Sequence, residues 1–265
     1  MDNVQNKIVL ITGGATGLGN KFAEILLRNG AKTVAIIDLC TSNGESVAAT
    51  FENEFGKGRV MFVACDVTKD EDLQKAFKKV ISIFQGLDIV INNAGILNDH
   101  DWKQTIDINV TAVICSSLLA LDHMGKHKGG KGGTIVNIAS IFGLSKAGGV
   151  PVYCASKHAV VGFSRCLADS YDKTGVRIVT ICPGVTTTTL IKNIETKVLD
   201  FVDPKLVSQF YSLPVQTVDD ATSAILDLIR KGKNGAVWVR EGGLPPYAVD
   251  FPHYSKRALP IYKSD

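Results

Sequence analysis

Lys7-Ile-Val-Leu-Ile-Thr12-Gly-Gly-Ala-Thr-Gly17-Leu-Gly19 is the stretch whose reading decides the fold. A short run, apolar from Ile8 to Ile11, ends in a glycine-rich turn. An amphipathic stretch, Leu18 to Asn29, starts before the turn is over. A run apolar at consecutive positions reads as a strand buried on both faces. A strand that passes through such a turn straight into a helix is the first half of a βαβ unit.

The same alternation continues outward. Lys7 to Thr12, Thr33 to Asp38, Val60 to Cys65, Asp88 to Asn92, Gly133 to Ile138, Val176 to Cys182 and Ala236 to Val239 read as strands. Leu18 to Asn29, Glu45 to Phe55, Lys69 to Phe84, Trp102 to Met124, Pro151 to Thr174 and Val218 to Lys231 read as helices. Strands separated by helices imply right-handed crossovers and an α/β fold. The expectation is a single-domain Rossmann fold, a doubly wound parallel sheet of about seven strands, spanning residues 1–265. Two stretches leave the pattern. Residues 186–214 follow a strand and are expected to form a substrate lid. Residues 242–265, rich in proline and aromatics, are expected as a C-terminal extension over the pocket or against another subunit.

Composition excludes several classes. A net charge of +3 in 265 residues gives no electrostatic footprint for nucleic acid. The basic cluster Lys126 to Lys131 is interleaved with glycines and reads as a solvated loop. No uninterrupted apolar run approaches ~20 residues, so no membrane span is expected. The first strand begins within seven residues, leaving no room for a signal peptide. Six cysteines without a CxxC pair read as reduced core thiols in a cytoplasmic protein. No metal site is expected; His123 and His127 lack a third ligand and read as surface residues.

The glycine loop suits a pyrophosphate. Gly13, Gly17 and Gly19 allow a tight turn and close approach, and the following helix N-terminus presents N–H donors. Asp38, nineteen positions beyond Gly19 and ending the second strand, is placed to bond both adenosine ribose hydroxyls and to repel a 2′-phosphate. No arginine follows Asp38 and no basic residue precedes Gly17 in the loop. NAD is therefore expected rather than NADP. Asp66-Val67 ends the third strand, near where an adenine would lie. Asn92-Asn-Ala-Gly95 ends the fourth, where these asparagines either brace the sheet or touch the cofactor.

Tyr153-Cys-Ala-Ser-Lys157, with Ser140 thirteen positions upstream, carries the chemistry. On a helix the phenol and ammonium are one turn apart on one face. Free tyrosine titrates near pH ~10, so a base active at neutral pH needs a shift of roughly 3 units, about 4 kcal/mol. A close cation lowers the phenol pKa in that direction.

These motifs, in this order and spacing from Lys7 to about Val239, resemble the short-chain dehydrogenase/reductase family. The resemblance implies that Tyr153 is the general base, that Ser140 holds the substrate oxygen, and that Lys157 binds the nicotinamide ribose and depresses the Tyr153 pKa. It implies that Asn109 kinks its helix and holds a water linking Lys157 to solvent. The catalytic set is thus Asn109, Ser140, Tyr153 and Lys157. Expected cofactor contacts are Gly13, Thr16, Gly17, Leu18, Gly19, Asp38, Leu39, Asp66, Val67, Asn93, Ala94, Gly95, Tyr153, Lys157, Pro183, Gly184, Val185 and Thr188. The substrate pocket is expected from Ser140, Ile141, Phe142, Val150, Tyr153 and Leu190, an apolar wall with one polar anchor.

Two subgroups are most similar in motif. Pro151 to His158, the Trp102 segment and the loop near Gly130 resemble NAD-dependent 15-hydroxyprostaglandin dehydrogenases. Asn93 to His100, Val150 to Tyr153 and Asn234 to Trp238 resemble insect-type alcohol dehydrogenases. The chain departs from the former at Val150, where they carry a glutamine, and from the latter in its Thr12-Gly13 loop. The expected activity is NAD-dependent hydride transfer with a lipophilic secondary alcohol, as a homodimer or homotetramer. A carbonyl reductase of a steroid-like or terpenoid ketone and a non-catalytic dinucleotide-binding scaffold are the alternatives.

Overall fold

The computed structural model describes residues 4–259. Its strands are β1 (Ile8–Thr12), β2 (Thr33–Asp38), β3 (Val60–Ala64), β4 (Ile89–Asn92), β5 (Gly133–Ile138), β6 (Val176–Pro183), β7 (Val237–Arg240) and β8 (Tyr247–Ala248). The helices are α1 (Gly17–Arg28), α2 (Gly44–Phe55), α3 (Asp70–Phe84), α4 (Trp102–Ile106), α5 (Ala112–Met124), α6 (Pro151–Ala168), α7 (Tyr171–Thr174), α8 (Pro204–Ser208), α9 (Val218–Thr222) and α10 (Ile225–Lys231).

Consecutive apolar strand residues find a helical layer on each side. Val9 and Ile11 pack with Phe22 and Leu26 of α1 and Leu228 of α10. Leu10, between them, packs with Leu73 and Phe77 of α3 and Ala120 of α5. All three strand residues are fully buried. That double burial is why the strand lacks the polar alternation of a one-sided sheet.

The sheet order is β3-β2-β1-β4-β5-β6-β7-β8. The first seven strands run parallel, and β8 pairs antiparallel to β7. The chain reverses direction of travel across the sheet between β3 and β4, which lands beside β1. The register sets Thr12 against Asn92. The two strand ends diverge from there, and the crevice of a doubly wound sheet opens between them.

The structure departs from the sequence reading in several places. Trp102 to Met124 is not one uniform helix; a π-helical turn at Asp107–Thr111 interrupts it. The segment is long and apolar enough to cross a membrane by length and composition alone, with a mean hydropathy of 1.4 over its most apolar 18-residue window. Here it is a layer helix: Asn109, Ser116 and Ser117 are buried inside the fold. The stretch from Pro151 divides at Asp169, giving α6 and α7. Residues 242–259 do not cover the pocket. They add β8 to the sheet edge, and Val249 and Phe251 pack on Val160, Val161 and Val237. The Arg165 guanidinium stacks 3.9 Å from the Phe251 ring centre. Residues 260–265 lie outside the described residues. Cys40 and Cys166 are exposed, so these two are not core thiols.

Candidate active site

At the glycine loop the backbone turns back on itself. Gly13 has φ +65° and Gly17 φ +54°, conformations that L-residues with a Cβ rarely adopt. A Cβ on Gly19 would sit 2.2 Å from the Gly13 carbonyl oxygen. Gly19 therefore closes the loop from behind and does not itself line the cleft. Gly13, Thr16, Gly17 and Leu18 do. Asn93 resolves the alternative left open for it. Its Nδ2 donates to the carbonyls of Thr12, at 3.1 Å, and Gly13, at 2.9 Å. The amide braces the loop, while the Asn93–Gly95 segment forms the cleft wall.

Asp38 and Leu39 line the same wall. The Asp38 carboxylate accepts from Ala15 N at 3.0 Å and Leu39 N at 2.8 Å. Strand end and glycine loop are thus tied together by this one carboxylate. Asp66 accepts from the Thr68 hydroxyl at 2.7 Å and from Thr68 N at 3.0 Å. The hydroxyl, more than the nearby Lys69, holds its carboxyl below the usual range. Val67 lies beside it, and Pro183, Gly184, Val185 and Thr188 complete this half of the cleft.

The π-turn gives Asn109 its place. The extra residue per turn rotates the side chain inward, and it is fully buried. Its Oδ1 accepts from Ile96 N at 2.9 Å, and its Nδ2 donates to Ile96 O at 2.8 Å and to Ser156 Oγ at 3.0 Å. Asn109 therefore locks the segment after β4 to α6 and does not reach the cleft surface. A Cβ on Gly95 would lie 3.3 Å from Asn109 Oδ1 and 3.4 Å from Lys157 Nζ. The glycine leaves these two side chains room to approach the wall without crowding.

Ser140 lies two residues beyond the end of β5, and Tyr153 and Lys157 project from one face of α6; all three line the cleft. Ser140 Oγ accepts from Phe142 N at 3.2 Å, which leaves its proton to donate. Lys157 Nζ donates to Ile138 O at 3.1 Å and lies 5.6 Å from the centre of the Tyr153 ring. Burial pushes the Lys157 ammonium down to about 8. It pushes the Tyr153 phenol up to about 12, while the Ser140 hydroxyl pulls the other way. The expectation that Lys157 depresses the Tyr153 pKa is not met among the protein groups. The ammonium is directed at a carbonyl and faces the ring, and the site is dry enough to favour both neutral forms.

Residues 7–199 match the family described as short chain dehydrogenase. The chain belongs to the short chain dehydrogenase family. It is 40% identical to 15-hydroxyprostaglandin dehydrogenase [NAD(+)] of Rattus norvegicus, over 80% of this chain and 82% of that one. It is 35% identical to alcohol dehydrogenase 1 of Ceratitis capitata, over 91% and 94%. The crystal structure of levodione reductase superposes with a TM-score of 0.77 at 26% identity, covering 90% of this chain and 97% of that one.

Within this short chain dehydrogenase the cleft encloses about 710 Å³. Its apolar lining includes Ile96, Leu97, Phe142, Leu190, Ile191 and Phe210. Two sequence-derived pocket residues are placed elsewhere. Val150 is fully buried, packed behind the wall with Leu97, Tyr153 and Phe210. Ile141 turns toward the cluster of Val160 and Val239. The motif reading also missed Ile96, Leu97 and Phe210. The first two follow the Asn-Ala-Gly turn directly, and that adjacency was a usable signal. Phe210 arrives from fifty-seven residues beyond Tyr153 and stacks edge-on against Phe142, centres 5.1 Å apart. No local pattern announces such a contact.

Proposed function

We propose that this short chain dehydrogenase is an NAD-dependent oxidoreductase acting on lipophilic secondary alcohols. The observation that carries the reading is one continuous cleft. It has Ser140, Tyr153 and Lys157 at one end and the Gly13–Gly19 loop with Asp38 at the other. The residues fit a dinucleotide. A side chain on Gly17 would meet nothing closer than Thr188 Cγ2 at 3.9 Å, so the loop leaves an open cradle. Asp38 stands where a 2′-phosphate would be repelled.

When bound, the nicotinamide supplies the hydride acceptor or donor. The chain supplies position and proton control. Ser140 Oγ–H holds the substrate oxygen, and Tyr153 Oη takes or returns its proton. Lys157 would hold a ribose hydroxyl of the cofactor and places its ammonium beside the phenol ring. Residues 186–214 serve as the substrate lid. They seat Ile194, Val207 and Phe210 on Leu97 and Tyr153, which excludes water from the reacting oxygen. The apolar substrate end favours a hydrocarbon-rich alcohol and discriminates weakly among similar ones. A homodimer or homotetramer is part of the reading, supported by Trp102 and Leu118, both about half exposed on α4 and α5. Six unpaired thiols fit a reducing compartment such as the cytoplasm.

A second reading, a carbonyl reductase, draws on one observation. The phenol held up at about 12 is an acid at neutral pH. The deciding experiment is turnover with NAD and NADP across secondary alcohols and ketones, from short aliphatics through terpenoids and steroids to hydroxy fatty acids. Turnover of one class with NAD supports the proposal, and loss of that turnover in Tyr153→Phe with NADH binding retained assigns the base. No turnover across the panel, with NADH still bound, would leave a non-catalytic dinucleotide binder.

A further inference from the structure

Asp99 is a fully buried carboxylate that the proposed chemistry does not use. It lies in the connection between β4 and α4 and does not line the cleft. Its Oδ2 accepts from Val152 N at 2.7 Å, and its Oδ1 accepts from Tyr153 N at 2.8 Å. Its own N–H donates to Lys197 O at 2.7 Å. One residue thus joins three segments: the wall after β4, the first turn of α6, and residues 186–214.

The sequence at the start of α6 explains why a distant residue is needed. Val150, at the N-cap, has no side-chain acceptor, and Pro151 has no N–H. The first N–H groups that need a partner are those of Val152 and Tyr153. A serine or aspartate at position 150 would satisfy them locally. Here the acceptor comes instead from fifty-three residues earlier, on the same segment as Ile96 and Leu97 of the substrate wall. A buried carboxylate is costly to desolvate. Burial raises the Asp99 carboxyl, while the two N–H groups oppose that rise. The arrangement ties the backbone of Tyr153 itself to the wall against which the substrate lies.

We infer that Asp99 is a positioning residue, fixing Tyr153 relative to the substrate wall through the Tyr153 backbone N–H. The inference rests on the reading of Tyr153 as the acid–base group. A shift of about 1 Å in such a group is enough to reduce turnover by ~100-fold. Asp99→Asn keeps the volume but replaces one acceptor with an NH₂ group that faces a donor.

The test uses the full chain, with the alcohol and NAD found in the turnover panel. Asp99→Asn should lower kcat at least ~10-fold while KM and the NADH dissociation constant stay within about threefold. Asp99→Glu should recover part of kcat, since it restores both acceptors on a longer stem. Unchanged kcat in the Asn variant overturns the inference. So does a fall in kcat matched by equal losses in KM and NADH affinity, which is the mark of general loosening. If Asp99→Asn does not fold, hydrogen exchange on the wild-type protein decides. The Val152 and Tyr153 amides should be protected, although first-turn helix amides ordinarily exchange freely. Free exchange at both positions overturns the inference. Tyr153→Phe separates the two claims. Turnover retained there would remove the acid–base reading itself, whereas a dead Tyr153→Phe beside a normal Asp99→Asn removes only the positioning role.

Discussion

Burial acts on Tyr153 and Lys157 in opposite chemical senses, since one is charged when deprotonated and the other when protonated. With the phenol raised to about 12, its base form increases tenfold per pH unit across the neutral range. Alcohol oxidation should therefore rise with pH, with log kcat/KM climbing at a slope near one until the apparent pKa of the site. Ketone reduction should be flat or falling over the same range. Parallel pH profiles in both directions check this, and a flat oxidation profile from pH 6 to 9 would contradict it. Lys157 allows a stability prediction. Its folded pKa of about 8 lies below the ordinary 10.5, so the fold disfavours the ammonium. The cost is fully present below pH 8 and disappears as pH rises to 10.5, and 2.5 units correspond to on the order of 3 kcal/mol. Lys157→Met should thus raise thermal stability at pH 7 by roughly 1–3 kcal/mol, with the gain shrinking toward pH 10 and activity lost. Denaturant melts of both proteins at pH 7 and 10 measure it; a gain that does not shrink would point to packing alone.

The π-turn at Asp107–Thr111 shows what an irregular element contributes. A regular helix from Trp102 to Met124 would carry Asn109 past Ile96. The bulge turns it to clamp the Ile96 N–H and C=O, in the way a strand partner would. Asn109→Leu leaves both part-buried groups without that partner, at about 1–3 kcal/mol each. The expected result is a fall in unfolding free energy of about 3 kcal/mol and a loss of turnover, because the same side chain ties the segment carrying the cleft-wall residue Ile96 to Ser156 of α6, the helix of Tyr153 and Lys157. Chemical denaturation measures the first. A loss below ~1 kcal/mol would show that the bulge persists without the clamp. Helical periodicity made the long apolar segment legible, but not its interruption. The bulge depends on contacts with residues thirteen and forty-seven positions away.

For the whole molecule, the sheet edge is the exposed liability. An unpaired β7 would present free backbone groups to other chains, and β8 covers it by pairing at Trp238 and Val239. Removing residues 245–265 deletes β8 and the Phe251 contact with Arg165. The shortened chain should lose about 2–4 kcal/mol, from one aromatic burial and one cation–π contact, and should aggregate sooner on heating. Every cleft-lining residue precedes the deletion, so kcat of the folded fraction at low temperature should stay within about twofold. Unchanged melting, or abolished activity in folded protein, would each contradict this account of the extension.

Amino-acid order alone was enough to specify seven parallel strands, the glycine cradle, Asp38 and the Ser140, Tyr153 and Lys157 set. Each of these is a local signal: periodicity within one element, or residue types at fixed spacing beside a strand end. The eighth strand was not legible, since Tyr247 and Ala248 are two exposed residues without alternation. Nor was the hidden position of Val150, because hydrophobicity alone does not separate a pocket wall from the core behind it. Tertiary structure alone decided that Asp99 meets Tyr153 and that Phe210 meets Phe142. It also decided that burial, rather than the Lys157 charge, governs the phenol among the protein groups. These depend on which distant segments the sheet crossovers bring together, and on how much water their packing excludes. Neither quantity is carried by any single stretch of the chain.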